Sequence, residues 1–228
     1  MTGLPEGVSY YPDHFDRPAQ EALVDAIRDV VREAPLFVPV MPRTGKPMHV
    51  RMSNCGPLGW VTDKENGYRY QPDHPQTGRA WPPIPTVLLQ LWKDVAGFDA
   101  PPEACLINFY SDTAKMGLHQ DRDEQAFAAP VVSVSLGDDC LFRIGATKRG
   151  GPTQSMRLRS GDVIVLGGPS RLRYHGVDRI YPGTSTLLKD GGRINLTLRR
   201  VSVGSNAKDG WKKIGRARIS PRWDEERR

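Results

Sequence analysis

From residue 104 to residue 201 the chain is a succession of short β-forming runs separated by turn residues, and no other feature constrains the fold as much. The runs are ACLINFY (104–110), PVVSVSLG (130–137), CLFRIGA (140–146), SMRLR (155–159), DVIVLGG (162–168), RLRYHGV (171–177) and RINLTLRRV (193–201). Short strands at regular spacing, joined by turns containing Gly and Asp, close into an antiparallel sandwich or barrel. The 23 glycines and 20 prolines agree with many turns and exclude a helical bundle. The expected class is therefore mainly β with flanking helices.

The helices lie upstream. Residues 18–34 carry Leu23, Ile27, Val30, Val31 and Ala34 on one face, opened by Asp16 and Pro18 and closed by Pro35. A second helix is expected over 85–97, between Pro85 and Gly97, with Leu88, Leu91, Trp92 and Val95 as its apolar stripe. Residues 40–84 read as a long irregular segment rich in Gly, Pro, Asn and aromatics, with one strand candidate, MHVRM at 48–52. A segment of that length inside a compact domain is usually functional. The organisation expected is an N-terminal extension and helix (1–39), a lid (40–84), a helix plus β core (85–203) and a basic polar tail (204–228).

A chain of 228 residues with 38% hydrophobic residues can bury one sizeable core. Cys55, Cys105 and Cys140 are odd in number and far apart, so they support neither a zinc site nor a disulfide framework. The opening MTGLPEGVSYYPDHFD has no basic n-region and no apolar h-region, and no apolar run reaches bilayer length. A soluble cytoplasmic protein with no membrane partner is expected. The formal net charge of +6 favours an anionic partner, with nucleic acid the commonest candidate, although such a surplus also serves solubility alone.

Two of the five histidines begin a His-x-Asp triplet, His14–Asp16 and His119–Asp121. Asp16 already has work as a helix cap, whereas His119 lies between two strands, on the kind of rim where sites are built. In extended chain, residues i and i+2 point the same way, so His119 and Asp121 can reach one metal ion. His175 is the best third candidate, although taken alone it also reads as a hydrogen-bonded strand histidine. Two imidazoles and one carboxylate leave coordination positions open, as a non-haem Fe(II) oxygenase requires. The run Arg193-Ile194-Asn195-Leu196-Thr197-Leu198-Arg199 alternates strictly, which puts Arg193, Asn195, Thr197 and Arg199 on one face. Such a face could simply meet solvent. Following the third metal candidate, its two arginines could instead grip a dicarboxylate, because guanidinium matches carboxylate bidentately.

These motifs, with SNCGPLGW, DHPQTGRAWPPIP, LHQDRDE and the rest between about 48 and 201, resemble the AlkB family of nucleic-acid dealkylating dioxygenases. The resemblance implies a double-stranded β-helix (jelly roll) core using Fe(II), 2-oxoglutarate and O2. It makes His119, Asp121 and His175 the iron ligands. It places 2-oxoglutarate against the segment Asn108-Phe109-Tyr110 and against Arg193, Asn195, Thr197 and Arg199, with Arg193 on the distal carboxylate and Arg199 near the metal-bound end. It puts Trp60, Tyr68 and Tyr70 in a substrate lid, Asp123 on the exocyclic amine of the damaged base, and Arg149 at the mouth. The implied partner is single-stranded DNA, or a base flipped out of double-stranded DNA, with RNA a further candidate and a monomer sufficient.

The chain departs from the family in three places. The interval from Trp60 to Tyr68 is one residue longer than in the family's bacterial namesake, Phe109 stands where a basic residue is common, and the basic tail has no counterpart that can be matched. Residues 143–159 contain Arg143, Lys148, Arg149, Arg157 and Arg159 and no acids, and Arg171 and Arg173 follow. This cluster and the basic tail are candidates for phosphate contacts, although a basic run can also be a solvated surface. Two rival readings use the same fold: a 2-oxoglutarate dioxygenase acting on a protein or small molecule, and a catalytically silent module that binds nucleic acid.

Overall fold

The computed structural model describes residues 3–203, so the basic tail lies outside the described residues. The chain runs β1 (Val8–Tyr11), α1 (Arg17–Glu33), β2 (Arg51–Cys55), β3 (Gly59–Asp63), β4 (Gly67–Gln71), α2 (Thr86–Val95), β5 (Ala104–Tyr110), β6 (Met116–His119), β7 (Val131–Gly137), β8 (Asp139–Ile144), β9 (Gln154–Leu158), β10 (Val163–Leu166), β11 (His175–Tyr181) and β12 (Arg193–Arg199). A six-stranded sheet has the order β1-β10-β7-β12-β5-β2, and a four-stranded sheet the order β6-β11-β8-β9. The hairpin β3–β4 stands apart from both as a two-stranded sheet.

The two faces of the large sheet do different work. Leu196 and Leu198 of β12, Cys105 and Ile107 of β5, and Val132 and Val134 of β7 point to one side, where they pack on Leu23, Ile27 and Val30 of α1 and Leu88, Leu91 and Trp92 of α2. Burying a side chain of this size contributes roughly 1.5–3 kcal/mol, so the helices are held by their apolar stripes. α1 starts where expected because the Asp16 carboxylate accepts from the Ala19 amide at 2.9 Å. The opposite face looks across at the small sheet, meeting Cys140, Phe142, Ile144, Leu158 and Val177 in a second core. The polar residues of β12 lie on this inner face, between the layers.

Two sequence expectations change. Residues 40–84 are not irregular: β2 pairs with β5 and extends the large sheet, and β3–β4 forms the free-standing hairpin. The strand expected at 171–177 begins only at His175, because Arg171 is buried and uses its guanidinium on Ala129, Asp121 and Glu124 rather than joining a ladder. Gly176 then lets β11 approach β6 closely, since a Cβ there would meet the Met116 carbonyl oxygen at 2.5 Å. The three cysteines are free and buried, with Cys55 directly across from Cys105. Among the described residues no helix is long and apolar enough to cross a membrane.

Candidate active site

β6 ends at His119 and β11 begins at His175, and these two residues are cross-strand partners. Their rings lie 4.7 Å apart between centroids. Asp121, two residues past His119, completes a group whose ligand atoms all lie within 4.8 Å of one another. Each imidazole Nδ1 is 2.9 Å from a backbone carbonyl, Gly117 for His119 and Arg173 for His175. Donation from Nδ1–H leaves each Nε2 with its lone pair free, as a metal ligand needs. Both Nε2 atoms face the carboxylate, at 3.6 Å from Asp121 Oδ1 for His119 and 3.5 Å from Oδ2 for His175.

The electrostatics favour the metal-binding protonation state of His119 and of Asp121. Burial, reinforced by repulsion from His175, lowers His119 to about 4. Burial alone would raise Asp121, but the Arg199 guanidinium, 2.6 Å from Oδ1, outweighs it and holds the carboxyl well below its usual range. The other carboxylate oxygen, Asp121 Oδ2, is buried with no partner.

The strand pair β5–β12 supplies the floor. Asn108 lies across from Asn195 and Tyr110 across from Arg193, so all four point into the interlayer space. Arg193 is almost fully buried, donates to Ser135 Oγ at 2.7 Å and to the Asp138 carbonyl at 3.4 Å, and leaves Nε unpartnered. Asn195 donates to Ser133 Oγ at 2.7 Å and accepts from Thr197 at 2.9 Å, so these two brace the floor. Four buried side-chain polar atoms lack a partner among the described residues: Asn108 Oδ1, Asp121 Oδ2, Arg193 Nε and Arg199 Nε. Unpartnered buried polar groups are costly, and here all of them belong to the residues expected to hold iron and 2-oxoglutarate. A carboxylate oxygen and two guanidinium donors match a cation plus a dicarboxylate.

Two of the expected cosubstrate residues stand differently. Phe109 points away from the site, because alternation puts it on the opposite face from Asn108 and Tyr110, where the Arg51 guanidinium caps its ring at 4.7 Å. Arg199 spends its Nη groups on Asp121, Tyr70 and Glu124, leaving only Nε for a ligand.

Above the metal group sits the β3–β4 hairpin. Trp60 stacks on Tyr68 at 5.5 Å with 22° between planes, and its indole Nε1 donates to Asp123 Oδ2 at 2.7 Å. Burial raises the Asp123 carboxyl above its usual range, against the opposing pull of that hydrogen bond. Tyr68 is half exposed, whereas Tyr70 is buried and gives its hydroxyl to Glu124, so Tyr70 offers no open aromatic face. Arg149 is exposed, its guanidinium 5.6 Å above the Tyr174 ring. The basic run is largely occupied: Arg157 pairs with Asp139 at 2.7 Å, Arg143 with Asp178 at 3.5 Å, and Arg173 donates to the Gly145 carbonyl at 2.7 Å. The sequence reading missed Glu124 entirely and took buried Arg171 for a surface cation. Its place as the last residue of LHQDRDE was the only signal for Glu124.

A model of the 2OG-Fe(II) oxygenase superfamily matches residues 7–199. The chain is 53% identical to the alpha-ketoglutarate-dependent dioxygenase AlkB homolog of Caulobacter vibrioides, over 88% of this chain and 90% of that one. It belongs to the AlkB family of 2OG-Fe(II) oxygenases. AlkB of Escherichia coli is 45% identical over 80% of this chain and 85% of its own. The solved structure of OsALKBH1 superimposes with a TM-score of 0.72 at 30% identity, covering 87% of this chain and 100% of that chain. The AlkB core therefore spans both sheets, the hairpin and both helices.

Proposed function

We propose that this protein is an Fe(II)- and 2-oxoglutarate-dependent dioxygenase that removes alkyl groups from N-alkylated bases of the 1-methyladenine and 3-methylcytosine type. DNA is the principal substrate and RNA a further one, and the protein acts as a cytoplasmic monomer. The observation that carries this reading is the convergence of every buried unpartnered side-chain atom among the described residues on one site, beside two imidazoles with free Nε2. The names of relatives support the substrate class: a DNA N(6)-methyladenine demethylase of Arabidopsis thaliana is 44% identical over 108 residues, and a tRNA demethylase of Schizosaccharomyces pombe 35% over 118.

His119, Asp121 and His175 would hold Fe(II), and Asn108, Tyr110, Arg193 and Arg199 Nε would hold 2-oxoglutarate. Iron held there would supply the coupling of N-alkyl oxidation by O2 to conversion of 2-oxoglutarate to succinate and CO2, and a methyl group would then leave as formaldehyde. The chain's own part is placement and exclusion of water. Arg193, at the buried end of the floor, fixes the distal carboxylate. Trp60 and Tyr68 supply an aromatic face worth roughly 1–3 kcal/mol to a stacked base, which must leave its duplex or be single-stranded already. Asp123 accepts from the exocyclic amine. The positive charge of an N-methylated adenine or cytosine is attracted to that carboxylate and an unmodified base is not, which adds discrimination. Residues 40–84 act in this scheme as a lid through the β3–β4 hairpin, while β2 belongs to the scaffold.

The test is repair of a single-stranded oligonucleotide carrying 3-methylcytosine, with Fe(II), ascorbate and 2-oxoglutarate, read by mass spectrometry and formaldehyde release. Repair that needs 2-oxoglutarate and vanishes in His119→Ala is expected. Succinate formation driven only by a protein or small-molecule substrate would overturn the nucleic-acid assignment, and no turnover with iron bound would overturn the activity.

A further inference from the structure

Asp121 is held by two arginines from outside its own segment. Arg199 donates to its side chain through Nη2 at 2.6 Å, and Arg171 donates to its backbone carbonyl through Nη1 at 2.7 Å. Glu124 ties the two together, accepting from Arg199 Nη1 at 3.0 Å and from Arg171 Nη2 at 3.1 Å with no exposed side-chain surface. The remaining partner of Glu124 is the Tyr70 hydroxyl, which also accepts from Arg199 Nη1 at 3.0 Å.

Tyr70 belongs to the lid hairpin. It lies directly across from Trp60, whose indole donates to Asp123. The hairpin is therefore fastened to the metal-ligand segment at two points: through Trp60 to Asp123, and through Tyr70 and Glu124 to the guanidinium that aims the Asp121 carboxylate. The second fastening is buried and charge-assisted, the kind of bond that fixes geometry rather than merely adding contact.

We propose that Glu124 and Tyr70 are positioning residues that couple the β3–β4 lid to the metal carboxylate, so that metal binding orders the lid and an ordered lid tightens metal binding. The inference rests on the reading that His119, Asp121 and His175 hold a metal. Coupling of this kind is reciprocal: whatever the metal does for the hairpin, the hairpin does for the metal. It also gives Tyr70 a role distinct from stacking on the substrate base. A fixed hairpin presents Trp60 and Asp123 to the base only when the metal carboxylate is in place.

The experiment uses the full chain with Mn(II), a redox-inert probe, in the presence of 2-oxoglutarate. Mn(II) affinity is measured by calorimetry, and amide hydrogen exchange of residues 59–71 is followed with and without metal. Tyr70→Phe removes one hydroxyl and little else. Its Mn(II) affinity is expected to fall about tenfold, the lower end of the effect of losing a partner of a metal ligand. The Mn(II)-induced slowing of exchange in the hairpin, present in the wild type, is expected to disappear, while the amides of α1 exchange as before. Glu124→Gln should lose the same protection with a larger fall in affinity; if it does not fold, Tyr70→Phe decides alone. Unchanged Mn(II) affinity and unchanged hairpin protection in Tyr70→Phe would overturn the coupling. Wild-type protein that binds Mn(II) without slowing the hairpin would overturn the coupling and leave the metal site standing. Wild-type protein that binds no Mn(II) would overturn the metal reading itself.

Discussion

Arg193 is a buried cation with no carboxylate at ion-pairing distance among the described residues; its partners are a serine hydroxyl and a carbonyl. An arginine kept for the fold and an arginine kept for a ligand respond oppositely to Arg193→Met. Breaking a buried ion pair destabilises by roughly 3–5 kcal/mol. Replacing an uncompensated buried charge with an apolar side chain of similar length removes a desolvation cost that offsets the lost hydrogen bonds, so stability without ligand should stay within about 1 kcal/mol of the wild type. Binding suffers instead. Losing one partner of a buried charge-assisted pair costs roughly 2–5 kcal/mol, so the Kd for 2-oxoglutarate should rise from about 30-fold to a few thousand-fold. The assay is urea unfolding with Mn(II), with and without 2-oxoglutarate. At 100 times its Kd the cosubstrate should stabilise the wild type by about 2.7 kcal/mol, and at the same concentration it should stabilise the variant by less than about 1 kcal/mol. A ligand-free loss of about 3 kcal/mol or more, or a full cosubstrate gain in the variant, would refute the assignment.

Phe109→Leu should leave the KM for 2-oxoglutarate within about twofold and cost about 0.5–1 kcal/mol of stability through the lost contact with Arg51, read by chemical unfolding. His119 binds fewer protons folded than unfolded between about 4 and its ordinary 6.5, so the stability it contributes is present above 6.5 and lost as pH falls through that window. Solvent reaches 40% of its side chain and blunts that effect, so Mn(II) affinity is the better readout: it should hold steady down to about pH 6 and weaken toward 4. Arg149→Ala should reduce the salt slope of single-stranded oligonucleotide binding by about 0.7, whereas Arg157→Ala should not, because Arg157 is already paired with Asp139.

The parts of the structure legible in the sequence are those fixed by local rules. α1 has a capping carboxylate and a 3.6-residue apolar stripe, and it lies within one residue of its expected span. β5 matches its expected bounds and β12 begins at its expected residue, because strict alternation leaves only one way to lay such a strand between a core and a polar face. Four of the strands escaped notice: β1, β6 and the hairpin strands β3 and β4. The hairpin did carry a signal, Asn66-Gly67 between Trp60-Val61-Thr62 and Tyr68-Arg69-Tyr70, and that dipeptide favours a tight turn between strands. The possible metal site was legible because His119 and Asp121 obey the i, i+2 rule. Glu124, Arg171 and the inward turn of Tyr70 were not, since their meaning depends on partners 42 to 129 residues away in sequence. No local pattern distinguishes an arginine bound for the core from one bound for solvent.

Those long-range partners also explain how the site tolerates so much buried charge. Asp121 and Glu124 are matched by Arg171 and Arg199, a quartet that sums to zero. Arg193 remains as one positive charge without a carboxylate. A divalent metal alone would raise the positive charge of the pocket, and a dicarboxylate alone would leave the pocket negative. Bound together, the two cancel and restore the balance they found. At interior dielectric such charges interact far more strongly than in water, so each ligand improves the site for the other. The neutral quartet fixes the geometry of Asp121; on the proposed reading the lone arginine would orient the dicarboxylate, and cooperative loading of metal and cosubstrate would follow from the charges.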